Sequence, residues 1–454
     1  MYYEQPALSL PELRLAAIKA NKRVETRPID ATADDDPSFF EADRLFRDVS
    51  GERLDPIEDL TGFLEGAGGT RLSGEDWCQR CETDDDPSYI DAGVAHFLDD
   101  LQIEVWDFSA RRQQDPDFDI ERDILSLGSA DGERSSLSRI TVFTKAPWSG
   151  GPFGPPVASP PPSNISPHQS QSGAVRFAVM DTGIPQGYGT VHAHLQNAVD
   201  QASSDDDSPI FDKPPELLMD AGHGLFILDI ACRLSPNIAP AYMPRVTNDE
   251  TGLTISEFDI VTHLETLVKK VKFKKGEKLL VNMSFSGTTP ASLKPAGLDK
   301  ALQRLDSKGD DILVVAAAGN DASTSPHWPA ALAATNQHLV SAGALDGSNQ
   351  VAQFSNRGSW VTSWAPGTDI VAAFLEGVNK LPTPYPGDEF PLTPGTEPWA
   401  KWSGTSFAVP HVAAAIANQA ASTGSTLLQA WNALQQAHAN DHPVGSNEPG
   451  IVIV

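Results

Sequence analysis

The sequence predicts an α/β fold: a doubly wound parallel sheet with helices on both faces, preceded by a mostly helical acidic N-terminal region. Three observations carry that reading. Short runs with buried-strand character occur at Ala174–Met180 (AVRFAVM), Lys278–Met283 (KLLVNM) and Ile312–Ala318 (ILVVAAA). Segments of helical periodicity, Ile255–Val271 and Leu293–Leu305, lie between them. Strands alternating with helices favour parallel pairing, because each crossover supplies an element that covers the sheet. The third observation is a break in composition: Pro147–Ser172 holds eight prolines among Gly, Ser and Gln. That is the composition of an extended linker, and it divides the chain into residues 1–145, 146–173 and 174–454.

The two sides of the break differ in charge. Residues 1–145 hold 33 acidic and 16 basic side chains, against 28 and 17 in the much longer remainder. Within the acidic part, Asp34-Asp-Asp-Pro-Ser-Phe-Phe-Glu-Ala42 recurs as Asp84-Asp-Asp-Pro-Ser-Tyr-Ile-Asp-Ala92. Each copy reads as a helix start, with Asp36 or Asp86 as cap and Pro37 or Pro87 in the first turn. Phe39, Phe40 and Phe46, or Tyr89, Ile90 and Phe97, then follow at helical spacing. A calcium loop fits less well, since adjacent aspartates lack the alternate spacing and the glycine of an EF-hand. Cys78-Gln-Arg-Cys81 is at most half of a zinc site, and ordinary thiols or one local disulfide are the expectation.

Composition excludes several classes of function. A net charge of -28 over 454 residues argues against nucleic acid or anionic membrane as a partner, since both recruit Lys and Arg. Three cysteines make no disulfide framework, so a reducing compartment is expected. Residues 1–23 lack the basic-then-apolar layout of a signal peptide, and no run approaches the roughly 18 apolar residues of a membrane helix. The expectation is a cytoplasmic protein with no metal and no cofactor.

Ligands on open α/β sheets bind beyond the carboxyl ends of the strands. The first strand runs into Asp181-Thr-Gly-Ile184. His223 lies between two glycines and opens an apolar helix. Ile312–Ala318 delivers Gly319 and Asn320 into a loop. Ser406 stands on the first turn of an alanine-rich helix within Trp402-Ser-Gly-Thr-Ser-Phe-Ala-Val-Pro-His411. Taken singly, each is an ordinary turn residue, cap or packed core group. Together they are the parts for acyl transfer: Asp181 orients His223, His223 takes the Ser406 proton, and Asn320 donates to the oxyanion.

With these residues in place, residues 174–421 resemble the catalytic domain of subtilisin-like serine peptidases (subtilases), whose Asp, His, Ser chain order they share. Asn282-Met-Ser-Phe-Ser-Gly287 resembles the family's substrate-pocket strand. Val340–Gln350, Phe354-Ser355 and Trp364-Ala-Pro-Gly367 follow in family order. Gly404-Thr-Ser-Phe-Ala-Val-Pro-His-Val412 resembles its serine motif. The resemblance implies a serine endopeptidase of peptide or protein substrates, with catalytic Asp181, His223 and Ser406 and oxyanion donor Asn320. Substrate binding would fall to Ser284, Phe285, Ser286, Gly287, Ala318 and Gly319. The pocket for the residue before the cut would also involve the loop at His327-Trp328-Pro329.

Departures from the pattern are local. Leu225 and Phe226 follow the histidine where the family carries small or polar residues. Cys232-Arg-Leu-Ser-Pro236 leads straight to the next strand, too short for the loop that holds a structural calcium in many subtilases. An insert, Gly377–Pro398, precedes the serine motif. Three alternatives stay open: a catalytically silent scaffold, a sedolisin-type acid peptidase, which would use glutamate in place of His223, and an esterase, which would want Gly-x-Ser-x-Gly. Residues 1–145 occupy the place of the family's inhibitory N-terminal segment, so intramolecular inhibition or docking is expected of them, the alternative being a domain packed permanently on the catalytic one for stability.

Overall fold

The computed structural model describes residues 24–27, 38–51, 55, 57–72, 101–126, 135–144, 156–163, 165–184, 191–201, 222–247, 254–270, 277–289, 294–375 and 398–453. In chain order the strands are β1 Val24–Arg27, β2 Ser38–Asp48, β3 Thr70–Leu72, β4 Ile103–Asp107, β5 Leu137–Thr144, β6 Val157–Ala158, β7 Val175–Met180 and β8 Ile238–Tyr242. They continue as β9 Thr254–Ser256, β10 Leu279–Met283, β11 Ile312–Ala317, β12 Leu339–Leu345, β13 Ser363–Pro366, β14 Ile370–Ala373, β15 Trp399–Trp402 and β16 Ile451–Val452. The helices that frame them are α1 Leu60–Gly66, α2 His223–Leu234, α3 Glu257–Lys270, α4 Ala296–Asp306, α5 Thr405–Thr423 and α6 Leu427–Ala437.

The central sheet has seven strands in the order β16-β13-β12-β11-β10-β7-β8, and every pairing in it is parallel. Its strands are buried on both faces, so they read as continuous apolar runs rather than as alternation. β7 shows how one strand serves two cores, because successive side chains point to opposite faces. Val175, Phe177 and Val179 pack on one side with α2, α5 and α6. Ala178 and Met180 pack on the other with α3 and α4. The sheet is therefore doubly wound, and the expected strands and helices lie where their periodicity placed them.

The N-terminal part departs from its helical expectation. Residues 38–48, expected as the body of a capped helix, form the strand β2. It sits in a six-stranded sheet ordered β3-β4-β2-β5-β9, with β1 also paired to β2. The reason is visible in neighbouring side chains: Leu45 enters a small core with Leu60, Leu64, Trp106 and Phe108, while Phe46 enters the α3–α4 core. Two consecutive residues buried in opposite directions is strand geometry, and two cores outweigh a local cap signal. The second copy, Asp84–Ala92, and Cys78 and Cys81 lie outside the described residues.

This sheet is not made of N-terminal residues alone. β9, which directly precedes α3, pairs antiparallel with β5. The Pro-rich stretch read as a free linker is also paired in part: Val157–Ala158 form an edge strand on β15 in a three-stranded sheet β14-β15-β6. His168 then docks between the carbonyls of Cys232 and Ile238, each at 3.0 Å from a ring nitrogen. An edge is where a proline-flanked pair can pair, because one side of its backbone needs no partner.

Candidate active site

The parallel sheet brings its chemistry together at the carboxyl ends of β7, β10 and β11. Asp181 follows β7 directly and is fully buried. Both of its oxygens lie 2.9 Å from His223 Nδ1, and Oδ1 also accepts from the Thr182 N–H at 2.8 Å. Two carboxylate oxygens on one ring nitrogen fix that nitrogen as the protonated one and leave Nε2 as the basic nitrogen.

Glycine makes this approach possible. A Cβ on Gly224 would stand 2.7 Å from the Gly183 carbonyl, and the Gly224 N–H donates to Thr182 Oγ1 at 3.0 Å. Gly222, the residue before the histidine, has φ +82, and a Cβ there would press on Phe374 and Leu375. The left-handed backbone and the crowding both demand glycine. The His223 ring then sits between aromatic neighbours, 5.3 Å from Trp402 and 5.4 Å from Phe407. Phe407 is the residue after Ser406, so the imidazole lies beside the first turn of α5.

Ser406 is held by a linked set of bonds. Pro410 lies inside α5 and has no N–H, so the Ser406 carbonyl loses its helical donor. Ser284 Oγ supplies one instead, at 3.2 Å, and Ser284 Oγ itself accepts from Asn282 Nδ2 at 3.0 Å. In return Ser406 Oγ donates to the Ser284 carbonyl at 3.3 Å, a long and easily exchanged bond. The first turn of α5 and the end of β10 are thereby fixed in register.

Asn320 is locked by Thr405. Its Oδ1 accepts both the Thr405 N–H and the Thr405 hydroxyl, each at 2.8 Å, and Thr405 Oγ1 accepts in turn from the Gly319 N–H at 3.1 Å. With Oδ1 occupied, Nδ2 faces Gly404, 3.6 Å from where a Cβ would stand. Ser406's own N–H belongs to the first turn of α5 and has no intrahelical acceptor. A side-chain amide and a helix N-terminus therefore converge beside Ser406, an arrangement suited to developing negative charge.

The expected binding residues divide. Ser284, Ser286 and Gly287 line the edge beyond β10, where Gly287 pairs with Trp328. Phe285 turns its ring into the core, 5.6 Å from Phe143 of β5, so its side chain is withdrawn from that edge. Ala318 is fully buried, its methyl in the α3–α4 core, and Gly319 has φ +103. One residue escaped sequence reasoning. Asn356 accepts from the N–H groups of Asp321 and Ser323, both at 2.9 Å, and donates to the Ala318 carbonyl at 2.9 Å. It shapes the loop after Asn320, and only its place beside Phe354-Ser355 could have drawn attention to it.

The sequence pattern of the subtilase family (Peptidase_S8) matches residues 173–440. The chain belongs to the subtilase family. A thermophilic serine proteinase of Bacillus sp. (strain AK1) is 34% identical over 139 residues, 31% of this chain and 28% of that protein. Subtilisin BL of Lederbergia lenta is 36% identical over 138 residues, 30% of this chain and 40% of its own length. The match thus spans less than half the length of these relatives. Among solved structures, a cold-adapted subtilisin-like serine proteinase aligns at a TM-score of 0.45 and 20% identity, over 65% of this chain and 93% of that one. The prenylagaramide maturation protease PagA aligns at 0.42 and 22%, over 60% and 85%.

A structural calcium does not fit after α2. Three residues separate Leu234 from β8, and Ser235 Oγ and Asn237 Nδ2 are both committed to Asn418 Oδ1, at 2.6 and 2.9 Å. Six or more oxygen ligands cannot be gathered there. Among the described residues no group of three or more His, Cys, Asp or Glu side chains is placed to hold a metal ion, and no helix is long and apolar enough to cross a membrane.

Proposed function

We propose that this subtilase is a serine endopeptidase whose catalytic residues are Asp181, His223 and Ser406. The observation that carries the reading is the buried Asp181 carboxylate gripping His223 Nδ1 with both oxygens, beside a serine that heads a helix. A peptide lies along the Ser284–Ser286 edge as an added strand. Ser406 Oγ leaves the Ser284 carbonyl by rotation about its Cα–Cβ bond and gives its proton to His223 Nε2. It attacks the scissile carbonyl, whose oxygen takes hydrogen bonds from Asn320 Nδ2 and the Ser406 N–H. His223 protonates the leaving amine, and the acyl-enzyme is hydrolysed by water that His223 activates.

The reading extends to the N-terminal region, residues 1–145, as a regulatory unit docked on a catalytic unit of residues 174–454. What supports docking is the joint at α3 and α4. Glu257 Oε2 accepts from the Thr141 N–H of β5 and Oε1 from the Leu298 N–H of α4, both at 2.9 Å. Lys300 of α4 pairs with Asp48 of β2 at 2.8 Å, and Phe143 packs on Phe285. Phe285 adjoins the substrate edge, so the docked sheet touches the back of the cleft wall. Three cysteines, of which Cys232 is a buried free thiol, favour a reducing, cytoplasmic setting.

The deciding experiment is labelling of the full chain with a serine-directed fluorophosphonate, alongside casein hydrolysis. Both are expected in the parent and absent in Ser406→Ala. Hydrolysis retained by Ser406→Ala overturns the reading.

A further inference from the structure

Phe226 departs from the family pattern one helical turn after His223, and the fold packs it into the aromatic group that carries the His223 ring. Its side chain is fully buried. The Phe407 ring lies 4.5 Å away, tilted 45°, and the Trp402 ring 5.8 Å away, almost perpendicular. Trp402 and Phe407 are themselves 5.3 Å apart, so the rings close into a triangle. Residues three apart on a helix share a face, and His223 meets the same two partners, at 5.3 Å from Trp402 and 5.4 Å from Phe407.

Each corner of the triangle comes from a different element. Phe226 belongs to α2, Trp402 ends β15, and Phe407 stands in the first turn of α5, directly after Ser406. Hydrogen bonds tie the two proposed reacting residues to separate strands. His223 is held through Asp181 at the end of β7, and Ser406 through Ser284 at the end of β10. Those bonds orient each residue on its own strand. The approach of the start of α2 to the start of α5 is filled by rings. An aromatic ring is rigid and keeps its neighbours at centroid distances of about 4.5–7 Å, so it makes a spacer where an aliphatic side chain would let the helices settle closer.

We infer that Phe226 is a positioning residue: by propping Phe407 and Trp402 against α2, it sets the separation of His223 Nε2 from Ser406 Oγ. It acts through the two rings that His223 also meets. The separation has little slack, because proton transfer needs heavy atoms within about 2.6–3.2 Å. The inference rests on the endopeptidase reading, which names His223 and Ser406 as the reacting pair.

Inactivation by a fluorophosphonate, followed over a range of probe concentrations, separates spacing from stability. In full-length Phe226→Leu the rate at saturating probe should fall by about 10-fold or more, since a displacement of about 1 Å costs up to about 100-fold. The half-saturating concentration should stay close to the parent's. The far-downfield proton resonance of His223 Nδ1, held by both Asp181 oxygens, should persist. Phe226→Met, which refills the volume with a flexible chain, should fall between the Leu variant and the parent. Ile230→Val, also buried on α2, is the control and should lower the melting temperature without changing the rate.

A folded Phe226→Leu chain with the parent's rate overturns the inference. So does a loss confined to the half-saturating concentration, a vanished Nδ1 resonance, or an equal loss of rate in Ile230→Val. Should Phe226→Leu fail to fold, a parent-like rate in Phe226→Met overturns it alone. Labelling that survives Ser406→Ala, or a parent that is not labelled, instead overturns the endopeptidase reading and the inference with it.

Discussion

The helix α2 carries two buried His–Asp pairs, and the proposed mechanism uses only one. At its start, His223 meets Asp181, whose oxygens serve His223 and the Thr182 N–H. Two turns on, Asp229 meets His194 at 2.7 Å, but its other oxygen also accepts from Arg233 Nε at 2.8 Å and the Ala373 N–H at 3.0 Å. His194 is stacked on Trp399, with centroids 5.2 Å apart, whereas His223 meets Trp402 edge-on at the head of the serine helix. Residue types do not separate the two pairs. The third partner does: Asp229 also meets a guanidinium and ties α2 to β14, while Asp181 turns both oxygens to His223, as the proposed mechanism requires.

The largest effect that could break this comparison is on rate. His223→Ala should lower turnover by about 10⁴–10⁶, because catalytic groups of this kind act as a unit. Asp181→Asn should cost about 10⁴ by stabilising the wrong tautomer. Steady-state kinetics on His194→Ala should show a kcat close to the parent's; an equal collapse would make the second pair catalytic too. Next comes Asn320→Ala, expected to reduce kcat by about 10²–10³ while fluorophosphonate labelling persists. Unchanged turnover would mean that the Thr405 clamp serves the fold alone.

The reverse asymmetry should appear in stability. Asp229→Ala leaves a half-buried guanidinium and a buried imidazole without their anion and should cost about 3 kcal/mol in urea unfolding. A loss below about 1 kcal/mol would show that the anchor to β14 is idle.

Glu257 sharpens the comparison from the other side, as a buried carboxylate held by backbone N–H groups. Burial raises its pKa to about 7, against the backbone N–H groups of Thr141, Leu298 and Gly297, which lower it. A carboxyl with a raised folded pKa contributes stability that is fully present below its unfolded value of 4.5 and is lost as pH rises through about 7. Melting temperature should therefore fall between those limits in the parent, and fall less in Glu257→Gln. Parallel profiles would remove Glu257 as the titrating group.

Legibility followed what fixed each element. Buried strands of the parallel sheet announce themselves, because both faces are apolar and no register needs to be known. The residues at their ends were readable for the same reason: once Val175–Met180 is a strand, Asp181 is at its carboxyl end. β2 was misread because Asp36 and Pro37 give a strong local helix signal, while the opposite burial of Leu45 and Phe46 is set by two cores remote in sequence. Asn356, the Thr405–Asn320 bonds and the partnership of His194 with Asp229 were not legible, since each joins residues at least 35 positions apart.

The pairing of β6 with β15 decides where this chain can be divided. A shortened protein beginning at residue 174 would discard Val157–Ala158, and with them one edge of the sheet whose central strand runs into Ser403 and α5. It would also discard His168, the peg between α2 and β8. A cut ahead of Pro156 spares all of these contacts. The second half of the proline-rich stretch, from Pro156 on, therefore packs with the sheet that leads to Ser406.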